Sequence, residues 1–100
     1  MLEKDVHVNA RDKNDSTPLH YAANYGDAEI IETLIEHGAK VDARNKREWT
    51  PLFQTAFARN PLTSEALMKH GAEVNARDRG QNTPLFHAAV SYTHLRAHET

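Results

Sequence analysis

The sequence predicts an all-α solenoid of stacked helix-turn-helix units joined through short β-hairpin-like tips. Three observations carry that prediction: short motifs recur at one fixed interval, a threonine-proline pair opens an apolar stretch in each period, and a glycine closes the second apolar stretch. Val8-Asn9-Ala10-Arg11 returns as Val41-Asp42-Ala43-Arg44 and again as Val74-Asn75-Ala76-Arg77. Thr17-Pro18-Leu19 returns as Thr50-Pro51-Leu52 and Thr83-Pro84-Leu85, and Gly38-Ala39 returns as Gly71-Ala72. Every step is 33 positions, so the three marker sets share one register. The chain divides into a partial repeat over 1–7, repeats over 8–40 and 41–73, and a partial repeat over 74–90.

The elements follow in order from local chemistry. The polar stretch from Asp12 to Ser16 is a turn or hairpin tip. Thr17, Thr50 and Thr83 suit an N-cap, where a hydroxyl accepts from an orphan helix N–H. The proline after each suits the first helical position, where its missing N–H costs nothing. A short first helix then runs through Leu19, Ala22 and Ala23, which share one face, and Gly26 ends it. A second helix runs from Glu29 to His37 with Ile30, Ile31, Leu34 and Ile35 as its apolar stripe, and Gly38 serves as a left-handed C-cap.

The second full repeat departs from this pattern. Arg59 stands where the first has Gly26, and Thr63 and Ser64 stand where it has Ile30 and Ile31. Asn60-Pro61 opens a helix, but only Leu67 and Met68 keep the stripe, with Leu62 displaced by one. Two lost isoleucines imply a burial deficit of about 3–6 kcal/mol, so the helix over Thr63 to His70 is the weakest element expected.

Asp12, Thr17-Pro18-Leu19-His20, Ala22-Ala23, Gly26, Glu29-Ile30, Leu34 and Gly38-Ala39 together resemble the ankyrin repeat, over about Leu2 to Val90. The resemblance implies paired antiparallel helices stacked in a curved solenoid with tips projecting sideways. It implies a protein-binding surface on the tips and the concave first-helix face, without catalysis or cofactor. It assigns His20 a structural bond to the backbone of the neighbouring hairpin.

Both ends depart from the repeat. Leu2 to His7 align with Ile35 to Lys40, the last turn of a second helix, and Asp5 stands at the place of the C-cap glycine. After Ala89 the pattern calls for a glycine and another helix, but the chain reads Ser91-Tyr92-Thr93-His94-Leu95-Arg96-Ala97-His98-Glu99-Thr100. Residues 91–100 resemble a translated sequencing-adapter tail and are read as non-native, the alternative being a genuine divergent cap. Two full repeats and two halves fall below the roughly three that a stable solenoid needs. Marginal stability and end-to-end self-association through exposed half-repeat faces are therefore expected.

Composition narrows the function classes. The 100 residues, 39% hydrophobic and 26% charged, suit one small domain. With no cysteine, disulfides, thiolate zinc sites and cysteine nucleophiles are excluded. A net charge of −2 gives no bulk attraction to nucleic acid. No apolar run reaches membrane-spanning length, and the first ten residues carry no signal core. An intracellular, cytoplasmic setting without membrane association is expected. None of Ser16, Ser64 and Ser91 lies in a nucleophile motif, and the glycines are scattered singly. His37 and His70 end second helices one repeat apart and need not converge. His94 and His98 are spaced to bind zinc, but no carboxylate base accompanies them. Glu29, Glu32 and Glu36 read as a solvated face. No metal, cofactor or catalytic residue is assigned.

Repeat arithmetic places the candidate partner-binding residues in two rows. The tip row holds Lys13, Asn14 and Ser16, then Lys46, Arg47 and Trp49, then Arg79, Gly80 and Asn82. The first-helix row holds Tyr21, Asn24 and Tyr25, then Gln54, Phe57 and Ala58, then His87. The expected contact set is Arg47, Trp49, Tyr21, Tyr25, Phe57, Lys46, Arg79 and His87, with Trp49 read as exposed at a variable position. Cations outnumber carboxylates on the tips, which points to an acidic peptide or acidic protein surface. Arg11, Arg44 and Arg77 recur by period and read as structural. The function expected is a non-catalytic protein-interaction module. The alternative is an accessory segment of a larger enzyme or effector whose active domain lies outside this sequence.

Overall fold

The structure is a computed structural model that describes residues 7–58 and 60–99, the side chains of 93–99 excepted. His7 and Val8 are helical. The elements that follow are α1 (Pro18–Tyr25), α2 (Ala28–Glu36), α3 (Pro51–Gln54) running into a 3₁₀ turn (Thr55–Phe57), α4 (Pro61–Lys69) and α5 (Pro84–Glu99). Among the described residues there are no strands, and the fold is all-α.

Prolines open three of the helices at the predicted 33-residue interval, but their caps differ. Thr17 Oγ1 accepts from His20 N–H while His20 Nδ1 accepts from Thr17 N–H, a reciprocal capping box with histidine in the usual glutamate role. Thr83 Oγ1 accepts from Phe86 N–H at 3.2 Å. Thr50 makes no such bond. Its position one repeat on from His20 is Phe53, which has no polar atom to return, and among the described residues Thr50 Oγ1 is the buried side-chain polar atom without a partner. The expected hydroxyl cap is thus absent in the second repeat.

Gly26 closes α1 at φ 84°, and a Cβ there would sit 3.4 Å from Ala58 Cβ. The left-handed backbone is what calls for glycine here, since 3.4 Å is only close contact with the neighbouring repeat. The first helix of the second repeat ends differently among the described residues. α3 tightens into the 3₁₀ turn, and Ala58 leaves it extended at φ −84°, ψ 146°. Arg59 itself lies outside the described residues.

The helix expected to be weakest, α4, is formed. Asn60 Oδ1 accepts from Leu62 N–H at 3.0 Å, and Asn60 Nδ2 donates to Gly26 O in the preceding repeat. The deficit inferred from the lost isoleucines is smaller than expected. Ile30 is itself 49% exposed, whereas Thr63 at its place one repeat on is fully buried, its hydroxyl satisfied by Asn60 O at 2.8 Å.

One apolar cluster runs through the stack: Val8, Leu19, Ala22, Ala23, Ile31, Ala39, Leu52, Ala66, Leu67 and Ala72. A second joins Trp49, Phe53 and Ala76 beneath the tips. α5 continues unbroken from Pro84 to Glu99, through the segment where the repeat pattern calls for a glycine and a reversal.

Candidate functional site

Each tip is a closed turn built on one residue. Asp12 N–H donates to Ser16 O, Asn45 N–H to Trp49 O and Asp78 N–H to Asn82 O, at 2.9–3.0 Å. The side-chain oxygen of the same residue accepts two tip amides: Asn14 and Ser16 N–H on Asp12, Arg47 and Trp49 N–H on Asn45, Gly80 and Asn82 N–H on Asp78. The turn forces a left-handed residue at Asp15, Glu48 and Gln81, φ 62–66°.

Arginine ties the tips together. Arg11 Nη1 donates to Asp15 O and to Arg44 O; Arg44 Nη1 donates to Glu48 O and to Arg77 O, at 2.7–2.9 Å; Arg77 Nη1 donates to Gln81 O. The periodic arginines are therefore structural, as their recurrence implied. His20 Nε2 reaches Trp49 O at 2.8 Å, across to the next hairpin, as the resemblance implied. Because Nδ1 accepts from Thr17 N–H, Nε2 carries the proton and the ring is neutral.

Between tips and first helices lies a groove of about 520 Å³, lined by Asn14, Ser16, Tyr21, Asn24, Asn45, Lys46, Arg47, Trp49, Gln54 and Phe57. It gathers members of both predicted rows. Lys46, Arg47, Tyr21 and Phe57 of the expected contact set meet there, but Tyr25, Arg79 and His87 do not. Tyr25, 83% exposed, lines a separate apolar hollow with Ile30 and Leu34. Arg79 sits on the third tip, where its Nε donates to Lys46 O at 2.6 Å.

The expectation of an exposed Trp49 is corrected. Its residue surface is 7% exposed, and its indole N–H donates to Asp78 Oδ2 at 2.9 Å. The ring stacks with Phe53 and with Phe57, each 5.7 Å away, and Arg47 lies over it at 5.3 Å. Trp49 is the floor under the groove, and Phe57 and Arg47 are the groups it presents. His87 is likewise engaged: Nε2 lies 2.9 Å from Asp78 Oδ2, and the ring tilts against Trp49. Burial pushes the Asp78 carboxyl up, but the His87, Asn82, Trp49 and Gly80 donors outweigh it and hold the pKa at about 2. Tyr21, at the His87 position two repeats earlier, plays the same part by donating to Asp12. That bond lowers the Asp12 pKa and raises that of Tyr21.

Glu32 is not simply solvated. Its carboxylate lies 2.6 Å from His70 Nε2 and 3.1 Å from Lys69 Nζ, joining α2 to α4, and these two partners lower its pKa. His70 does not meet His37, whose Nδ1 lies 2.8 Å from Thr33 O. The side chains of His94 and His98 and all of Met1 to Val6, Asp5 included, lie outside the described residues. Among the described residues, no group of three or more histidines and carboxylates is placed to hold a metal ion, and no helix is long and apolar enough to cross a membrane.

Helix pairs repeating every 33 residues, with tips laced by arginine and backbone bonds, define a helical repeat solenoid. A family model described as "Ankyrin repeats (many copies)" matches residues 1–52, just over half of the sequence. The chain belongs to the ankyrin repeat family. It is similar to human "Ankyrin repeat domain-containing protein 49", 49% identical over 39 residues, which are 39% of this chain and 16% of that protein. It is similar to fowlpox virus "Putative ankyrin repeat protein FPV233", 46% identical over 39 residues, 38% of this chain and 8% of that one. It also resembles "Palmitoyltransferase AKR1" of Lachancea kluyveri, 48% identical over 40 residues, 39% of this chain and 5% of that protein. The chain thus covers a small fraction of each relative. Ankyrin repeats are in general protein-protein interaction modules.

Proposed function

We propose that this chain is a non-catalytic binding module that takes an acidic protein segment on its tips and in the groove beside them. The observation that carries the reading is the state of the tip charges. Arg11 and Arg44 are engaged with backbone carbonyls, and Asp12 and Asp78 with donors of their own repeat. Lys13, Lys46 and Arg47 are exposed, and among the described residues their charged ends have no carboxylate partner. The uncompensated charge at the groove is positive, and exposed Tyr21 and Phe57 flank it with aromatic surface. A chain net charge of −2 favours a protein partner over nucleic acid, and the lack of cysteine is in keeping with an intracellular, cytoplasmic setting.

The similarity to a protein named a palmitoyltransferase supports a second placement of the same role, as an accessory segment within a larger enzyme. Both placements share one test. Random peptides displayed on phage and selected against the full chain should be rich in aspartate and glutamate. Binders should lose affinity for the Lys46→Glu, Arg47→Glu double variant while its circular dichroism is unchanged. Binders that hold that variant equally well would overturn the reading.

A further inference from the structure

We infer that the tip row reads acidic residues at a fixed interval: the tips, along the edge of the groove, take an extended peptide with carboxylates at every third position. This rests on the reading that tips and groove bind an acidic segment, and adds the register. Lys13, Lys46 and Arg79 occupy one position of the repeat, and all three are exposed.

Their spacing follows from how the tips are tied. Each tip is two chain segments wide, closed by the backbone bonds at Asp12, Asn45 and Asp78. Successive tips are joined by Lys46 N–H to Asn14 O at 3.0 Å and by Arg79 N–H to Arg47 O at 3.4 Å. Backbone segments joined by such bonds lie about 4.8 Å apart, so two per repeat put equivalent residues about 10 Å apart. The packing of α1 on α3 gives a similar figure, since packed helices lie about 8–10 Å apart. An extended peptide advances about 3.3 Å per residue, so about three residues span one repeat. In a helical peptide, residues three apart would be separated by only about 4.5 Å along the axis and would miss the next tip.

The middle step is the strongest, because Lys46 is joined there by Arg47, held over Trp49. Glu48 is a tip carboxylate that competes for this row, as does exposed Asp15 beside Lys13. Glu48 pairs at 4.0 Å with both Arg44 and Arg79, so it offsets part of the Arg79 charge, but Arg79 keeps 70% of its side chain exposed for an incoming carboxylate. Asn14, Asn24 and Gln54 line the groove with side-chain amides able to bond a peptide backbone.

The test uses labelled peptides of glycine and serine carrying three aspartates, either contiguous, at every second position or at every third. Fluorescence anisotropy against the full chain at about 50 mM salt keeps screening weak. The third-position peptide should bind about threefold tighter or more than the other two. Lys46→Gln should abolish that preference with the fold intact. Equal affinity for all three spacings would overturn the inference while leaving the acidic reading standing. Binding no better than that of the matching asparagine peptides would overturn the acidic reading as well.

Discussion

Replacing Asp78 by alanine should be among the most damaging single changes below the tips. Asp78 is 7% exposed, and its carboxylate takes Gly80 N–H, Asn82 N–H, Trp49 Nε1–H and His87 Nε2, each at 2.9 Å. In the alanine variant the two tip amides turn to water at modest cost, because Gly80 is exposed. The Trp49 indole N–H cannot, since its ring is enclosed by Phe53, Phe57 and His87. A bond to a charged group is worth about 1.5–3 kcal/mol, and the loosened tip adds about 1 kcal/mol, giving an expected loss of about 2.5–4 kcal/mol. Urea unfolding followed by circular dichroism reads it directly. Trp49→Phe keeps a ring but removes the donor, so a double-mutant cycle with Asp78→Ala should show a coupling of about 1.5–3 kcal/mol. A loss under about 1 kcal/mol, or strict additivity, would refute the assignment of Asp78 as the anchor. The charge has its own signature: the pKa falls from 3.8 to about 2 on folding, so its stabilisation is present above pH 3.8 and is lost as pH falls towards 2. Asp78→Asn should flatten that part of the pH profile.

Four further outcomes follow from the same geometry. Thr50→Val should raise stability by about 1 kcal/mol, because the hydroxyl is buried without a partner; a loss of the size expected for a working N-cap would contradict this. Arg44→Ala should cost about 1–2 kcal/mol in chemical denaturation by releasing Glu48 O and Arg77 O, and Arg44→Lys should recover little, because its ammonium ends one bond short of Nη1, which makes both contacts. Gln81→Gly should raise Tm by a few degrees, since φ 66° strains a residue with a Cβ; an unchanged or lower Tm would argue against strain there. His20 is buried, which holds its pKa below 6.5, so the unfolded chain takes a proton before the folded one and stability falls as pH drops below 6.5. His20→Phe, matching Phe53 and Phe86, should lack that share of the slope as pH falls through 6.5.

Much of the fold was legible because its signals are local. Proline openings at Pro18, Pro51 and Pro84 and the left-handed Gly26, Gly38 and Gly71 depend on one or two residues each. The structural arginines and His20 were legible because recurrence and resemblance marked them. What the sequence concealed is longer in range. Trp49 looked free at a variable tip position, but its acceptor, Asp78, lies one repeat on, 29 residues away. Glu32 looked solvated because its partners Lys69 and His70 belong to the next repeat's second helix. Thr50 looked like a cap because its hydroxyl is right, while the missing half of the capping box is at Phe53. α4 looked weak because stripe residues were counted as equally buried, whereas Ile30 lies half in solvent and Thr63 does not. One signal was available: Tyr21 and His87 share a repeat position, and a polar ring nine residues after a tip aspartate marks a tip-to-helix bond.

The central claim is that binding occurs at the tips and groove. Titrating an isotopically labelled full chain with the third-position aspartate peptide, and recording amide shifts by nuclear magnetic resonance, tests it most directly. The account predicts changes concentrated at Lys13, Asn14, Tyr21, Lys46, Arg47, Phe57 and Arg79, with α2 and α4 unmoved. Shifts centred on Glu29, Glu36 and Glu65 of those second helices, or no shifts at all, would contradict it.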